Sequence, residues 1–176
     1  MRYIRLLILS FIVLFVVVTI MSLFIPSRVR ISKAINIQTT TAGTDSLIGD
    51  MAQWKKWNPF FSELGENTIN HSTPGQEGTE MMEVNGTMVK WLQRSETEYV
   101  AEMSRGKREP VHNGWSIITY NSPDSLTVQW YMDFHLNWYP WEKFGSLLFE
   151  KSYSGKMEQG LTTLKQLLEA EKSSRR

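Results

Sequence analysis

The chain contains no cysteine among its 176 residues. Without thiols, it cannot form disulfide bonds, use a thiolate nucleophile, build a cysteine zinc site or carry a lipid on cysteine. Charge of one sign is also scarce, because the formal net charge is +1 and no long run of like charges occurs. A nucleic-acid interface needs clustered lysine and arginine to neutralise phosphates, so nucleic acid is not an expected partner.

Motifs for metal, phosphate or nucleophile chemistry are missing as well. None of the three histidines has the spacing to another ligand type that suggests zinc, and no phosphate loop is present. We therefore expect no metal and no cofactor. Asp133 and His135 share a strand face and can form an acid–base couple, although a solvated pair on a polar face is the favoured alternative. Glu80, Glu83 and Glu102 lie on predicted strands, and one that points into an apolar cavity would act as an acid.

The first part of the chain is a long apolar run. Leu6 to Ile25 is twenty residues without a charge, enough for a helix of roughly 30 Å that crosses the hydrocarbon core of a bilayer. The run ends in "SLFIPSR", which offers no small-x-small cleavage pair of a signal peptide. Residues 1–27 are therefore predicted to be a single transmembrane anchor. The basic residues flank both ends equally, and the short basic N-terminal tail favours an extracytoplasmic domain.

Residues 28–172 are predicted to form one soluble domain, followed by a frayed polar tail at 173–176. The domain begins with a strand whose apolar residues recur every two or four positions, from Val29 to Ile37. Thr44 and Asp45 are N-cap types that precede two short helices, joined at Gly49-Asp50. Asn58-Pro59 ends the second helix, because the residue before proline avoids helical geometry.

Six strand-like segments come next, separated by turn sequences. The last alternates cleanly, with one apolar and one polar face, as in an antiparallel sheet covered on one side. A C-terminal helix carries an apolar stripe from Tyr153 to Leu168, and Gly160 within it indicates that another group packs closely there. The six predicted strands are Thr68–His71, Gly78–Val84, Thr87–Arg94, Tyr99–Met103, Asn113–Tyr120 and Ser125–Leu136.

Three stretches resemble one known family. "INIQTTTAGTDSLIGDMAQWKKWNPF", "SLTVQWYMDFHL" and "GKMEQGLTTLKQLLE" are similar to the first strand and helix pair, the late strand and the terminal helix of the START/Bet v 1-like superfamily. The likeness is greatest to its bacterial polyketide cyclase/dehydrase-type members. The resemblance implies an α+β helix-grip fold, in which a curved antiparallel sheet of six to seven strands surrounds the long C-terminal helix and two short helices close an internal cavity.

The resemblance also implies what the domain does. Members mostly bind apolar or amphipathic small molecules or lipids, and a minority are cyclases, dehydratases or hydrolases, with no catalytic motif to carry over. We therefore expect a membrane-tethered binding domain, with two alternatives left open: an enzyme of the cyclase/dehydratase type, or a structural domain whose core is filled by its own side chains. A pocket of about 300 Å³ or more would favour the first two functions.

The aromatic segment "QWKKWNPFF" is interpreted as the rim and lid of that cavity. Its tryptophans share a helical face that is expected to point inward, with the lysines outward. Rings on the strands either line the pocket or form plain core. A second aromatic segment, Asn137–Phe144, can contact lipid headgroups, as interfacial Trp and Tyr do. The candidate ligand-binding residues are Trp54, Trp57, Phe60, Trp91, Trp115, Trp130 and Met132.

Overall fold

A computed structural model describes residues 2–62, 69–72, 81–84, 86–119 and 125–174. An N-terminal helix leads into a sheet of seven strands in the order β1-β7-β6-β5-β4-β3-β2, with every pair antiparallel. The elements are α1 Arg2–Leu23, β1 Arg28–Ile37, α2 Thr41–Thr44, α3 Trp54–Trp57, α4 Pro59–Ser62, β2 Ile69–Ser72, β3 Met81–Val84, β4 Thr87–Arg94, β5 Glu98–Ser104, β6 Val111–Thr119, β7 Leu126–His135, α5 Pro140–Ser146 and α6 Phe149–Ser174.

The predicted helix-grip fold is confirmed. Helix α6 packs along β1 and also contacts α3, α4 and β7. One side of the helix therefore lies against the sheet and another against the short helices. The predicted apolar stripe is the buried one, since Met157, Leu161, Leu164 and Leu168 are each at most 2% exposed. Gly160 has the close neighbours that its position indicated, because a Cβ there would lie 2.8 Å from both the Pro59 Cδ and the Trp130 ring.

The helical region after β1 differs in detail from the prediction. The interruption at Asp50 is where we expected it, but the first helix begins at Thr41, so Thr44 and Asp45 are not its N-cap. Thr44 instead donates its hydroxyl to the Thr41 carbonyl at 2.6 Å, which places it inside the helix. Asp45 begins a π-helical turn, Asp45–Gly49, and a 3₁₀ turn, Met51–Gln53, precedes α3.

The polar face of β7 is not simply solvated, contrary to expectation. Tyr131 lies on that outer face yet is only 7% exposed, because its ring covers Gly114 of β6. A Cβ on Gly114 would lie 2.1 Å from the Tyr131 Cζ, so only glycine fits beneath the ring. The neighbouring Asp133 accepts a hydrogen bond from the Arg30 Nε at 2.6 Å.

Some sequence predictions fall outside the described residues. These are Glu80, the strand ends at Thr68 and Tyr120, and the first residues of the predicted strand Gly78–Val84. Val84 pairs with Thr87 and Gly86 has a φ of +72°, so β3 and β4 meet where a hairpin was predicted, although Asn85 lies outside the described residues. Helix α6 continues through Ser174, so the expected polar tail is helical at its first two positions.

Helix α1 lies at the same end of the sheet as the start of β1 and the end of β7. Its residues Tyr3–Leu23 are long and apolar enough to cross a membrane, and almost all of this surface is exposed. Helix α5 packs against α1. The Lys143 Nζ of α5 donates to the Ile25 carbonyl at 3.0 Å and to the Ser27 Oγ at 2.6 Å, which fixes α5 to the short link between α1 and β1.

Candidate functional site

Two neighbouring cavities lie at the end of the sheet where α1 leaves the domain. We call this end the open end; it comprises the β5–β6 connection, the β3–β4 hairpin, α5 and the first turns of α6. The larger cavity has a volume of about 650 Å³ and the smaller about 350 Å³. They share Arg108, Glu109, Val111 and Phe134 in their walls. Both volumes are sufficient for a small organic ligand.

The cavity walls are apolar inside and polar at the rim. Strand alternation turns Val111, Met132 and Phe134 inward, whereas the β5–β6 connection supplies the exposed Arg108 and Glu109. The larger cavity is lined by Lys107, Arg108, Glu109, Val111, Phe134, His135, Leu136, Asn137, Tyr139, Trp141, Glu142, Gly145 and Phe149. The smaller is lined by Phe60, Phe61, Val84, Thr87, Met103, Arg105, Arg108, Glu109, Val111, Met132, Phe134 and Tyr153.

The opposite half of the interior is filled by tryptophan rings. We call this region the tryptophan cluster; its members are Trp54, Trp57, Trp91, Trp115 and Trp130. The ring of Trp54 lies 4.9 Å from that of Trp115 and 5.5 Å from that of Trp91, centroid to centroid. Trp130 stacks on Trp115 at 5.8 Å. These are the edge-to-face and stacked distances of well-packed aromatic pairs.

Hydrogen bonds hold three of the five indoles in place, whereas in the described part of the chain the buried Nε1 atoms of Trp91 and Trp115 have no partner. The Nε1 of Trp54 donates to the Ile48 carbonyl at 2.7 Å, and that of Trp57 donates to the Leu47 carbonyl at 2.9 Å. The two indoles thereby tie α3 to the π-helical turn before it, which is necessary because four residues are too few for a stable isolated helix. The Trp130 Nε1 donates to the Asn113 Oδ1 at 2.8 Å, inside the sheet.

The structure divides the sequence-predicted site residues into two groups. Phe60 and Met132 line the smaller cavity. The five tryptophans line neither of the two cavities and form the cluster beside them. The expected orientation of the first pair is present, since Trp54 is 0% and Trp57 2% exposed while the lysines between them face outward. What lies beneath these rings is other rings rather than open space.

The carboxylates at the rim of the larger cavity are Glu109 and Glu142, and they are not the ones that the sequence analysis considered. Glu83 is exposed, and Glu102 lies on the outer face of the sheet, where it pairs with the Lys90 Nζ at 2.9 Å. Neither Glu83 nor Glu102 points into a cavity, which was one of the possibilities that the sequence analysis considered.

The rim residues Arg108 and Glu109 were missed by sequence reasoning, because nothing in a turn sequence indicates which cavity it borders. Glu142 lies in the segment Asn137–Phe144, which the sequence analysis singled out for its aromatic rings and not for this carboxylate. A run of four charged residues around Gly106 was the available signal, "RGKRE".

Asp133 and His135 do share a strand face but do not form a couple. Asp133 is paired with Arg30, and the hydrogen bond to the carboxylate raises the pKa of the guanidinium. The His135 ring lies 5.8 Å from the His112 ring, and His135 borders the larger cavity. Within the described ranges, no group of three His, Asp or Glu residues is arranged to hold a metal ion.

Two buried tyrosines bond to carboxylates away from the cavities. Burial raises the pKa of Tyr99 to about 12, and its hydroxyl donates to the Asp45 Oδ1 at 2.9 Å. Burial likewise raises the pKa of Tyr131 to about 12, and its hydroxyl donates to the Glu98 Oε1 at 2.8 Å. Both phenols remain neutral at physiological pH, so they act as structural donors.

Comparison with known proteins places this fold among related ones. The model of the polyketide cyclase / dehydrase and lipid transport family matches residues 28–169. No curated protein sequence matches the chain significantly.

Solved structures share the architecture at low sequence identity. A START superfamily protein from Mycobacterium smegmatis has 16% identity and a TM-score of 0.58, with 80% of this chain and 97% of that chain covered. The di-domain ARO/CYC StfQ from the steffimycin biosynthetic pathway has 7% identity and a TM-score of 0.62, over 83% of this chain and 52% of that chain. Norcoclaurine synthase from Thalictrum flavum has 12% identity and a TM-score of 0.55, over 80% and 86%. Identities this low show the fold alone.

Proposed function

This chain belongs to the polyketide cyclase / dehydrase and lipid transport family, and from that premise we propose that it is a membrane-tethered protein that binds an apolar or amphipathic small molecule or lipid. The observation that carries the proposal is the pair of cavities at the open end. Their inner walls are apolar and their rim is charged, which suits a ligand with an apolar body and a polar head.

The ligand-contacting residues that we propose are those that face the cavities. Phe60 and Met132 remain from the sequence prediction, and Val111, Phe134 and Phe149 join them. The tryptophan cluster has a supporting role in this proposal. The ring of Trp130 lies 5.9 Å from that of Phe60, edge to face, and so holds Phe60 at the cavity wall.

Helix α1 is the proposed tether. Only four residues separate the end of α1 from the start of β1, and the domain would therefore sit directly on the bilayer. We propose that the domain lies on the extracytoplasmic side, with Arg2 and Arg5 on the cytoplasmic side of the membrane.

An enzyme that uses the same cavities is the second candidate. The observation that favours it is the presence of a phenol and a carboxylate, Tyr153 and Glu109, in the wall of the smaller cavity. A ligand between them would have an acid–base group within reach. Turnover of a bound polyketide-like aromatic, lost in Tyr153→Phe and in Glu109→Gln with binding retained, would establish the enzyme.

Filling the cavity tests the binding function directly. Val111 lines both cavities, so Val111→Trp should remove apolar ligand binding while the protein stays folded. Ile118→Trp is the matched control, because Ile118 lies on the same strand but on the outer face and is 38% exposed. The measurement is the ligand-induced rise in melting temperature of residues 28–176, with fatty acids, sterols and polyketide-like aromatics as probes.

We expect a rise in wild type and in Ile118→Trp, and none in Val111→Trp. The absence of any rise in wild type across the panel would contradict the binding function. It would favour the structural alternative.

Extraction of membranes tests the tether. The uncharged surface of α1 should keep the full-length chain in the membrane pellet after alkaline carbonate washing. A chain that begins at Arg28 should be soluble and folded. Release of the full-length chain into the supernatant would show that α1 does not span the bilayer.

A further inference from the structure

An exposed apolar surface surrounds α5, at the open end. Its members are 37–66% exposed, although they are large aromatic and aliphatic side chains. Large apolar side chains exposed together in one short segment are uncommon on a soluble protein and mark a site of contact. We call it the α5 apolar face; it consists of Trp138, Trp141, Phe144, Leu147 and Leu148.

The position of α5 relative to α1 identifies the partner. Helix α5 packs against α1, and Ser22 in the last turn of α1 is 0% exposed while Met21 and Leu23 on either side of it are more than half exposed. One side of this last turn, which spans roughly 5 Å along the helix axis, is therefore covered by the domain. If α1 spans a bilayer, the element beside its last turn lies at the depth where amphipathic interfacial helices reside.

Polar bonds fix this arrangement from the opposite side of α5. Lys143 is 4% exposed and points away from the α5 apolar face, toward the carbonyl of Ile25 and the hydroxyl of Ser27. The amide of Leu136 also donates to the Ser27 carbonyl at 2.8 Å. The link between α1 and β1 is thus bonded at Ile25 and at Ser27. These bonds fix the position of the α5 apolar face relative to α1.

The α5 apolar face also forms part of the cavity entrance. Trp141 is 65% exposed, stacks on Tyr139 at 4.9 Å, and both rings line the larger cavity. Lys107 and Arg108 lie on the same cavity wall and are exposed. The entrance is consequently bordered by rings and cations, the side-chain types found at the lipid headgroup level.

We propose that the α5 apolar face docks into the surface of the same bilayer that holds α1, so that the larger cavity opens onto the membrane and its ligand enters from the lipid rather than from water. The proposal rests on the proposed function, because it presumes the tether and the binding cavity. Because the α5 apolar face adjoins the end of the transmembrane helix, we infer that it contacts a lipid bilayer rather than a protein partner.

Site-directed spin labelling of the full-length chain tests the docking. The chain has no cysteine, so a single introduced cysteine gives one label. Labels would be placed by Leu148→Cys on the α5 apolar face, Phe11→Cys in the middle of α1 and Leu92→Cys on β4, which is 48% exposed and remote from the open end. The protein is reconstituted in vesicles of phosphatidylcholine and phosphatidylglycerol, and collision with oxygen and with an aqueous nickel chelate is measured.

Docking predicts that oxygen collides more than nickel at positions 148 and 11, and less than nickel at position 92. A label at 148 that meets nickel as freely as the label at 92, while position 11 is shielded, overturns the docking and leaves the tether intact. A label at position 11 that meets nickel freely overturns the tether and the docking together.

Photolabelling tests the entry route with the same vesicles. They would contain a phosphatidylcholine whose acyl chain ends in a diazirine, and adducts would be mapped by tandem mass spectrometry. We expect adducts at Val111 or Phe134 in the cavity, strongly reduced in Leu147→Glu/Leu148→Glu. Leu92→Glu is the matched control and should retain them.

The possible results separate the two proposals. Undiminished cavity adducts in the double glutamate variant overturn entry through the α5 apolar face. A lack of cavity adducts in every variant, with α1 labelled and position 148 shielded, contradicts lipid entry from the membrane; the melting experiment with Val111→Trp then decides separately whether the cavity binds any apolar ligand.

Discussion

The two halves of the interior are built on the same strands but are packed differently. Toward the helical turns, the strands direct tryptophans inward and their rings pack against one another. Toward α1, the same strands direct smaller side chains inward and two cavities remain. On β4, β6 and β7 the change runs from Trp91 to Val89, from Trp115 to Val111 and from Trp130 to Met132.

The comparison indicates how one domain combines stability with a binding site. Close aromatic packing at the tryptophan cluster fixes the sheet and α6, since rings of this size dominate core energetics. The open end then tolerates space without loss of the fold. The total free energy of unfolding of a protein is about 5–15 kcal/mol. The destabilising effect of a cavity must therefore be offset by tight packing in the rest of the core.

Removal of one indole from each end should give the largest difference in unfolding free energy between the two ends. Trp54 is 0% exposed inside the cluster, so Trp54→Ala should cost about 3–5 kcal/mol of unfolding free energy, as large-to-small changes in cores do. Trp141 is 65% exposed at the open end, so Trp141→Ala should change stability by less than about 0.5 kcal/mol. Urea unfolding of residues 28–176 measures both, and equal losses would show that the two ends do not differ in packing.

Two glycines in α6 allow a second comparison of packing, with smaller expected changes in unfolding free energy. Gly160→Ala should destabilise, because its Cβ would lie 2.8 Å from Pro59 and from the Trp130 ring, and overpacking costs about 1–3 kcal/mol. Gly155→Ala should stabilise by up to about 1 kcal/mol, because no atom lies within 4 Å of its Cβ and alanine is the better helix former. Stabilisation by both substitutions would mean that α6 is loosely packed against the cluster.

The bond from Tyr99 to Asp45 should give the smallest effect at neutral pH. It joins β5 to the helical turns beside the cluster, and Tyr99→Phe should cost about 1 kcal/mol. The folded state raises the pKa of Tyr99 to about 12, above the ordinary value near 10. This contribution is therefore complete below pH 10 and is lost as the pH rises toward 12.

Thermal melting between pH 8 and 12 tests that sign. Wild type should lose melting temperature with rising pH more steeply than Tyr99→Phe, and the two curves should converge at the alkaline end. Parallel curves would indicate that the Tyr99 pKa is the same in the folded and unfolded protein.

Much of the fold was predictable because its signals are local. The period of two in β7, the stripe of α6 and the uncharged length of α1 each follow from the geometry of one element. The Trp54 and Trp57 spacing also gave the inward direction of both rings correctly. The predicted N-cap, Thr44 or Asp45, lies four or five residues after the observed one, Thr40, because Thr40 makes no side-chain capping hydrogen bond and tertiary contacts with α6 stabilise that turn.

The cavity lining was less predictable, because it depends on which side chains from distant strands meet. Trp91, Trp115 and Trp130 alternate inward just as Val111 and Met132 do, and no local pattern says which of them borders empty space. Lys143 shows the same limit: a lysine is expected at the surface, yet it is 4% exposed because the carbonyl of Ile25 and the hydroxyl of Ser27 satisfy its ammonium.

By itself, the sequence determined an apolar helix long enough to cross a membrane, the helix-grip order of elements and the inward faces of α3, α6 and β7. Only the tertiary structure decided that the tryptophans fill one end, that the cavities lie at the other, and that this other end is the one beside α1. The physical reason is that periodicity follows from backbone geometry within one element, whereas a cavity is the volume left over after side chains from several elements have packed together.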